Sequence, residues 1–118
     1  MRVLVVEDNP DTRNSLVEFL AARGLHVLAA PDGVTALHLA AQQAIDAYLI
    51  DIGLPGMDGF ELARRVRQLA GGHDALLLAI TGYGTPEDKR RAEEAGFDHH
   101  VIKPPDPDEL CRLLNCPS

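Results

Sequence analysis

Three carboxylates, one hydroxyl and one ammonium stand where short apolar runs of this chain end. Val3–Val6 runs into Glu7-Asp8, and Ala47–Ile50 runs into Asp51. Ala75–Ile80 is followed by Thr81-Gly82, and His100–Ile102 by Lys103-Pro104. Acidic groups gathered in one place repel one another and call for a cation. Oxygen ligands carrying this much charge suit Mg²⁺ or Mn²⁺. A carboxylate can also act as a nucleophile toward phosphorus, giving an aspartyl phosphate. The cation, Lys103 and the Thr81 hydroxyl would then neutralise charge on the transferring oxygens. Gly82 leaves room for the phosphoryl group and offers an unobstructed backbone N–H. Taken singly, each piece has an ordinary reading. An acidic pair after a strand is commonly a solvated loop, Asp51 could cap a helix or turn, and the other two pairs could be a plain turn and a strand end. The combination at four run ends is what points to phosphoryl transfer.

Positioning these groups requires a sheet. The apolar runs at Val3–Val6, His26–Ala29, Ala47–Ile50, Ala75–Ile80 and His100–Ile102 read as strands buried on both faces, as in a parallel sheet. Stretches with helical spacing lie between them, with Leu16, Phe19 and Leu20 on one face, then Leu37 and Ala41, then Leu62, Val66 and Leu69, then Leu110, Leu113 and Leu114. Asn9-Pro10, Thr85-Pro86 and Asp106-Pro107 each set a capping side chain before a proline at the first helical position. Glu109 is placed to complete a capping box with Asp106. Gly24 and Gly96 follow helical segments, where a left-handed stop is needed. With no internal repeat, low-complexity tract or linker, the pattern predicts one α/β domain over residues 1–118. It is a doubly wound (βα)5 unit of five parallel strands with helices on both faces. Ligands of such sheets bind outside the carboxyl ends of the strands, where the winding reverses. That is the edge at which the polar residues fall.

Over essentially its full length the sequence resembles the receiver domains of bacterial two-component response regulators. The resemblance is carried by Val3-Leu4-Val5-Val6-Glu7-Asp8-Asn9, by Asp51-Ile52-Gly53-Leu54-Pro55-Gly56-Met57-Asp58-Gly59, by Ala79-Ile80-Thr81-Gly82 and by Lys103-Pro104. It implies a flavodoxin-like fold with strand order 2-1-3-4-5. It implies phosphorylation on Asp51, with the divalent cation held directly by Asp8, through water by Glu7, and by the backbone carbonyl of Gly53. Thr81 is then the switch hydroxyl and Lys103 the phosphate-pairing cation. The implied phosphodonor is a histidine kinase or a phosphotransfer protein. The donor would meet the first helix and the loop after strand five, at Asp11, Arg13, Asn14 and Pro105, with Arg13 and Asn14 exposed. An output domain or partner would read the face formed by the fourth helix, the fifth strand and the fifth helix. The family's usual aromatic switch residue is replaced here by His100, whose imidazole can still take two rotamers. Gly53 has no side chain to screen Asp51 from water, a task that could fall to Tyr83.

The remaining residues exclude other classes. A net charge of -7 argues against a nucleic-acid surface. No stretch is long and apolar enough for a membrane span, and Met1 leads straight into a strand pattern without a signal peptide. Cys111 and Cys116 form neither a metal pattern nor a good disulfide framework, and are expected to pack or sit free in a cytoplasmic setting. His26, His38 and His73 are scattered, and His99-His100 alternate across a strand, so none is expected to chelate. Arg64, Arg65 and Arg67 read as a solvated helix face, and Lys89-Arg90-Arg91-Ala92-Glu93-Glu94 as an exposed mixed-charge helix. Two rival functions share the same sheet edge. A flavodoxin-type flavin module would have to hold an anionic phosphate against three carboxylates without a phosphate loop. A hydrolase with an aspartyl nucleophile would need a cap or a second acid–base pair. A switch that assists its own phosphorylation and dephosphorylation, rather than a turnover enzyme, fits best.

Overall fold

Strands and helices alternate without exception: β1 (Arg2–Val6), α1 (Pro10–Ala22), β2 (His26–Ala30), α2 (Gly33–Gln42), β3 (Ala47–Asp51), α3 (Gly59–Gln68), β4 (Leu76–Thr81), α4 (Pro86–Ala95), β5 (His99–Ile102) and α5 (Pro107–Leu114). The computed structural model describes residues 1–69, 71–82 and 84–116. All strand pairings are parallel, in the order β2-β1-β3-β4-β5. The winding therefore reverses between β1 and β3, which opens a crevice at their carboxyl ends.

Two apolar layers flank the sheet. On one side Leu16 and Leu20 of α1 and Leu110 and Leu114 of α5 pack on Val3, Val5, Leu49, Leu78, Ile80 and Val101. On the other, Ala36 of α2, Leu62, Ala63 and Val66 of α3, and Ala92 and Ala95 of α4 cover Leu4, Val6, Tyr48, Ile50, Leu77 and Ala79. The alternation within each strand is the period-two pleat of a sheet covered on both faces. β1, β3 and β4 follow the predicted two-sided burial. β2 and β5 do not: as edge strands, each keeps some of its residues exposed. The helical face predicted for α2 is also displaced. Ala41 is exposed and Leu37 only half-buried, while Gly33 and Ala36 are the buried positions.

The predicted helix starts form as expected, with Asn9, Thr85 and Asp106 each accepting backbone N–H groups of the first turn. The capping box at α5 does not. The Asp106 carboxylate accepts the Asp108 N–H at 3.0 Å, and among the described residues Glu109 returns no bond to Asp106. Asp32 and Asp58 cap α2 and α3 in the same way. Gly24 and Gly96 take the predicted left-handed conformation, with φ of 88° and 107°.

Arg67 departs most from its sequence reading. Arg64 and Arg65 lie in solvent and pair with Glu61, but Arg67 turns inward at the amino end of the sheet. Its guanidinium donates to the carbonyls of Gly72, His73, Ala75 and Gly96 and to the carboxylate of Asp98. Asp98 in turn accepts the Leu77 N–H at 2.9 Å. One side chain thus ties the end of α3 to the turns entering β4 and β5.

Candidate functional site

The crevice at the β1–β3 reversal is a cleft of about 490 Å³, lined among others by Glu7, Asp8, Asp51, Gly53 and Lys103. Hydrophobic strands deliver these polar groups. Val3–Val6 are fully buried, so the chain can turn polar only past Val6, and Ala47–Ile50 fix Asp51 in the same way. Asp51 and Glu7 are each 3% exposed, whereas Asp8 faces solvent. Close approach at Gly59 holds the loop after Asp51. A Cβ there would come within 2.6 Å of the Ile52 Cα and 2.8 Å of the Asp51 carbonyl oxygen.

Carboxylate oxygens of Glu7, Asp8 and Asp51 lie within 4.8 Å of one another, and among the described residues this is the one cluster of three or more potential metal-ligating side chains. Asp51 is held at both oxygens. Oδ1 accepts the Gly53 N–H at 2.9 Å, and Oδ2 accepts from Lys103 Nζ at 2.9 Å. Burial pushes the Glu7 carboxyl up to about 7, and its hydrogen bond to Asp51 and the charge there push the same way. Burial alone would raise Asp51 too, but hydrogen bonds from Glu7, Lys103 and the Gly53 N–H outweigh it and hold Asp51 below the usual carboxylate range. Lys103 loses some basicity to burial and regains more from Asp51, ending above its ordinary value. Without a cation, then, the crowded charge raises the proton affinity of Glu7. A donor set made only of hard oxygens, with one carboxylate pushed toward its protonated form, fits a small hard divalent cation.

Glu7, Asp8, Asp51 and Lys103 are therefore brought together, as their positions at the run ends predict, and Gly53 joins them as the resemblance implies. Thr81 is not part of the cleft lining. It is buried beside it, and its hydroxyl accepts the Gly84 N–H at 3.1 Å in the loop leading to α4. Ile102 is the ladder partner of Thr81, and its side chain lies over Gly84. His100 pairs two steps back, with Ala79, and is half-buried. Tyr83 lies outside the described residues. Arg13 corrects its sequence reading. It is partly buried, and its guanidinium donates to the Glu7 carbonyl at 3.0 Å, while Asn14 is exposed as expected. Asn9 and Thr12 also line the cleft, and the Asn9 N–H approaches Glu7 Oε2 at 3.4 Å. Sequence reading had given Asn9 a capping role alone, and no spacing rule signals the rest.

A family profile for the response regulator receiver domain matches residues 3–115. The chain is 41% identical over 114 residues to an uncharacterised 14.6 kDa protein of Leptolyngbya boryana, covering 97% of this chain and 87% of that protein. It is 38% identical over 114 residues to the sensor histidine kinase RcsC of Salmonella typhi, where the match covers 97% of this chain and 12% of the kinase. The match to the two-component response regulator PhoP of Pseudomonas aeruginosa, at 38% identity, covers 98% of this chain and 50% of PhoP. Among solved structures, the chemotaxis protein CheY4 of Vibrio cholerae superposes with a TM-score of 0.93 at 30% identity, covering 97% of this chain and 95% of that one. The receiver domain of a sensor histidine kinase from Pseudomonas aeruginosa, with a magnesium ion coordinated in its active site cleft, gives a TM-score of 0.88 at 32% identity over 97% and 93% of the two chains. The chain belongs to the response regulator receiver domain family, the signalling switches of two-component systems. The flavin-binding and hydrolase readings find no support in these comparisons.

Proposed function

We propose that this domain takes a phosphoryl group onto Asp51 from the phosphohistidine of a histidine kinase or phosphotransfer protein. The observation that carries the proposal is the setting of Asp51. It is a buried carboxylate at the floor of an open cleft, ionised by its partners and held at both oxygens by Lys103 and Gly53. In the step, a carboxylate oxygen of Asp51 bonds to phosphorus as the phosphorus–nitrogen bond of the donor breaks. The imidazole leaves with the electron pair and picks up a proton. Lys103, freed from Asp51, pairs with the phosphoryl oxygens. Glu7, Asp8, Asp51 and the Gly53 carbonyl would hold Mg²⁺ or Mn²⁺, which when bound supplies positive charge to those oxygens. Asp8, the exposed member, takes the direct contact and Glu7 the contact through water.

Thr81 then exchanges its bond from Gly84 for one to the phosphoryl group, shifting a pre-existing equilibrium toward a second arrangement of the loop before α4. His100 is the switch position on β5, and the α4–β5–α5 face is where an output domain or partner docks. α1 and Pro105 face the donor. Residues 1–118 form one domain, acting in the cytoplasm as a switch rather than a turnover enzyme and binding no nucleic acid directly.

The test is intact mass after treatment with acetyl phosphate and Mg²⁺. Wild-type protein gains one base-labile phosphoryl group, Asp51→Asn gains none, and Asp58→Asn still gains it. A phosphoryl increment retained in Asp51→Asn would remove Asp51 from its role.

A further inference from the structure

Three of the helices end in the same way. After α1 the Leu25 N–H reaches the Leu20 carbonyl at 3.3 Å, and the Gly24 N–H reaches Ala21 at 3.0 Å. After α4, Phe97 reaches Ala92 at 3.0 Å and Gly96 reaches Glu93 at 3.1 Å. After α5, Cys116 reaches Cys111 at 2.9 Å and Asn115 reaches Arg112 at 3.3 Å. A left-handed residue makes each turn: Gly24, Gly96 and Asn115, the last with φ of 57°. This doubly bonded stop folds the residue beyond the turn back over the last turn of the helix, and the two side chains so joined normally make an apolar contact. Leu20 and Leu25 are buried in one apolar layer, and Ala92 and Phe97 in the other. At the end of α5 the same two places hold Cys111 and Cys116, both reduced and only partly buried. Both pack at the margin of the layer formed by α1 and α5.

We propose that Cys111 and Cys116 are a dithiol–disulfide site, closed within one chain by a peroxide. A disulfide spans Cα atoms about 4.4–6.8 Å apart. The bond from the Cys116 N–H to the Cys111 carbonyl draws the two backbones together across the left-handed Asn115, and the two thiols interact. The chemistry balances with hydrogen peroxide as oxidant. One thiolate attacks a peroxide oxygen, the O–O bond breaks, and a sulfenic acid forms with loss of water. The second sulfur then attacks the first and displaces its hydroxyl as water. Two thiols lose two protons and two electrons, one S–S bond forms, and the peroxide becomes two waters. Burial first, and then Cys111 beside it, push the Cys116 thiol up to about 11. Closure is expected to accelerate as pH rises, because the thiolate is the reacting form.

The full chain, reduced and desalted, is treated with hydrogen peroxide at pH 7 and pH 9, and followed by intact mass and by thiol alkylation. The expected product is a monomer lighter by two hydrogens that takes up no alkylating agent and is restored by dithiothreitol. Its rate should rise by at least about tenfold between the two pH values. Cys111→Ser and Cys116→Ser, both conservative at partly buried positions, should give no such product and should instead expose a sulfenic acid to dimedone. Wild-type protein that yields only dimedone-reactive acid, disulfide-linked dimers or unreacted thiols at both pH values would overturn the proposal.

Discussion

The sheet carries charge at each end, and the two ends solvate it in opposite ways. At the amino end, Arg67 is one cation among four carbonyls and a carboxylate, each aligned to accept its protons. At the carboxyl end, three carboxylates share one ammonium, and the crowding pushes Glu7 toward its protonated form. The first arrangement satisfies every partner and makes the fold firmer. The second leaves a deficit of positive charge in a partly dry cleft, which is a cost to the metal-free protein and a source of affinity for a cation. The same strands, in the same register, supply both.

Removing charge should therefore have opposite effects at the two ends. Arg67→Ala strands several carbonyls around β4 and β5 and is expected to lower stability by about 3 kcal/mol, read from urea unfolding. A loss below half of that would mean that water replaces the guanidinium well. Glu7→Gln should act the other way. Folded Glu7 keeps its proton up to about 7, against 4.5 as the ordinary value. Between those values the folded state binds more protons than the unfolded one, so stability in the presence of a chelator falls as pH rises through the window. Glu7→Gln should flatten that fall. Asp51, whose carboxyl is lowered, contributes its own pH dependence only below 3.8 and leaves the window clear. An unchanged slope in the variant would place the proton elsewhere.

Asp8→Asn is expected to weaken Mg²⁺ binding in a titration. Because Asp8 is exposed, it should raise metal-free stability less than Glu7→Gln does. Equal Mg²⁺ affinity would exclude Asp8 as a ligand. The smallest effect belongs to Arg13→Ala. Its bond to the Glu7 carbonyl makes it a support of the loop as well as a rim residue. Phosphorylation should slow modestly with acetyl phosphate and more with a protein donor, whereas Asn14→Ala should slow only the protein donor. Identical behaviour of the two variants would assign Arg13 to docking alone.

How much of this was legible depends on how local its causes are. Apolar runs broken by Glu7-Asp8, Asp51, Thr81 and Lys103 revealed the strands and the residues at their carboxyl ends, because burial leaves polar groups nowhere else to go. The proline-marked caps were equally plain. Arg67 could not be told from Arg64 and Arg65, since its partners are carbonyls that only tertiary folding brings near. The edge character of β2 and β5 was hidden because apolar composition does not reveal which strand lacks a neighbour. The α2 face was misplaced because a run rich in alanine and leucine offers several stripes of similar apolarity. The juxtaposition of Cys111 and Cys116 depends on one left-handed residue, Asn115, which spacing alone does not announce.

The strand order also decides when the cleft can come into being. Val3 pairs with both Val27 and Ala47, and of all the neighbouring pairings in the sheet the one between β1 and β3 closes the longest stretch of chain. Closure entropy grows slowly with length, about 0.6 kcal/mol per doubling, but it must be met before the contacts that repay it are made. This same junction brings Asp51 against Glu7 and Asp8, from which it is remote in the unfolded chain. Their mutual repulsion is felt only at the costliest encounter of the folding reaction. A chain that folds in the presence of Mg²⁺ should therefore cross that step faster than one that folds in chelator, provided the carboxylates meet before the barrier rather than after it.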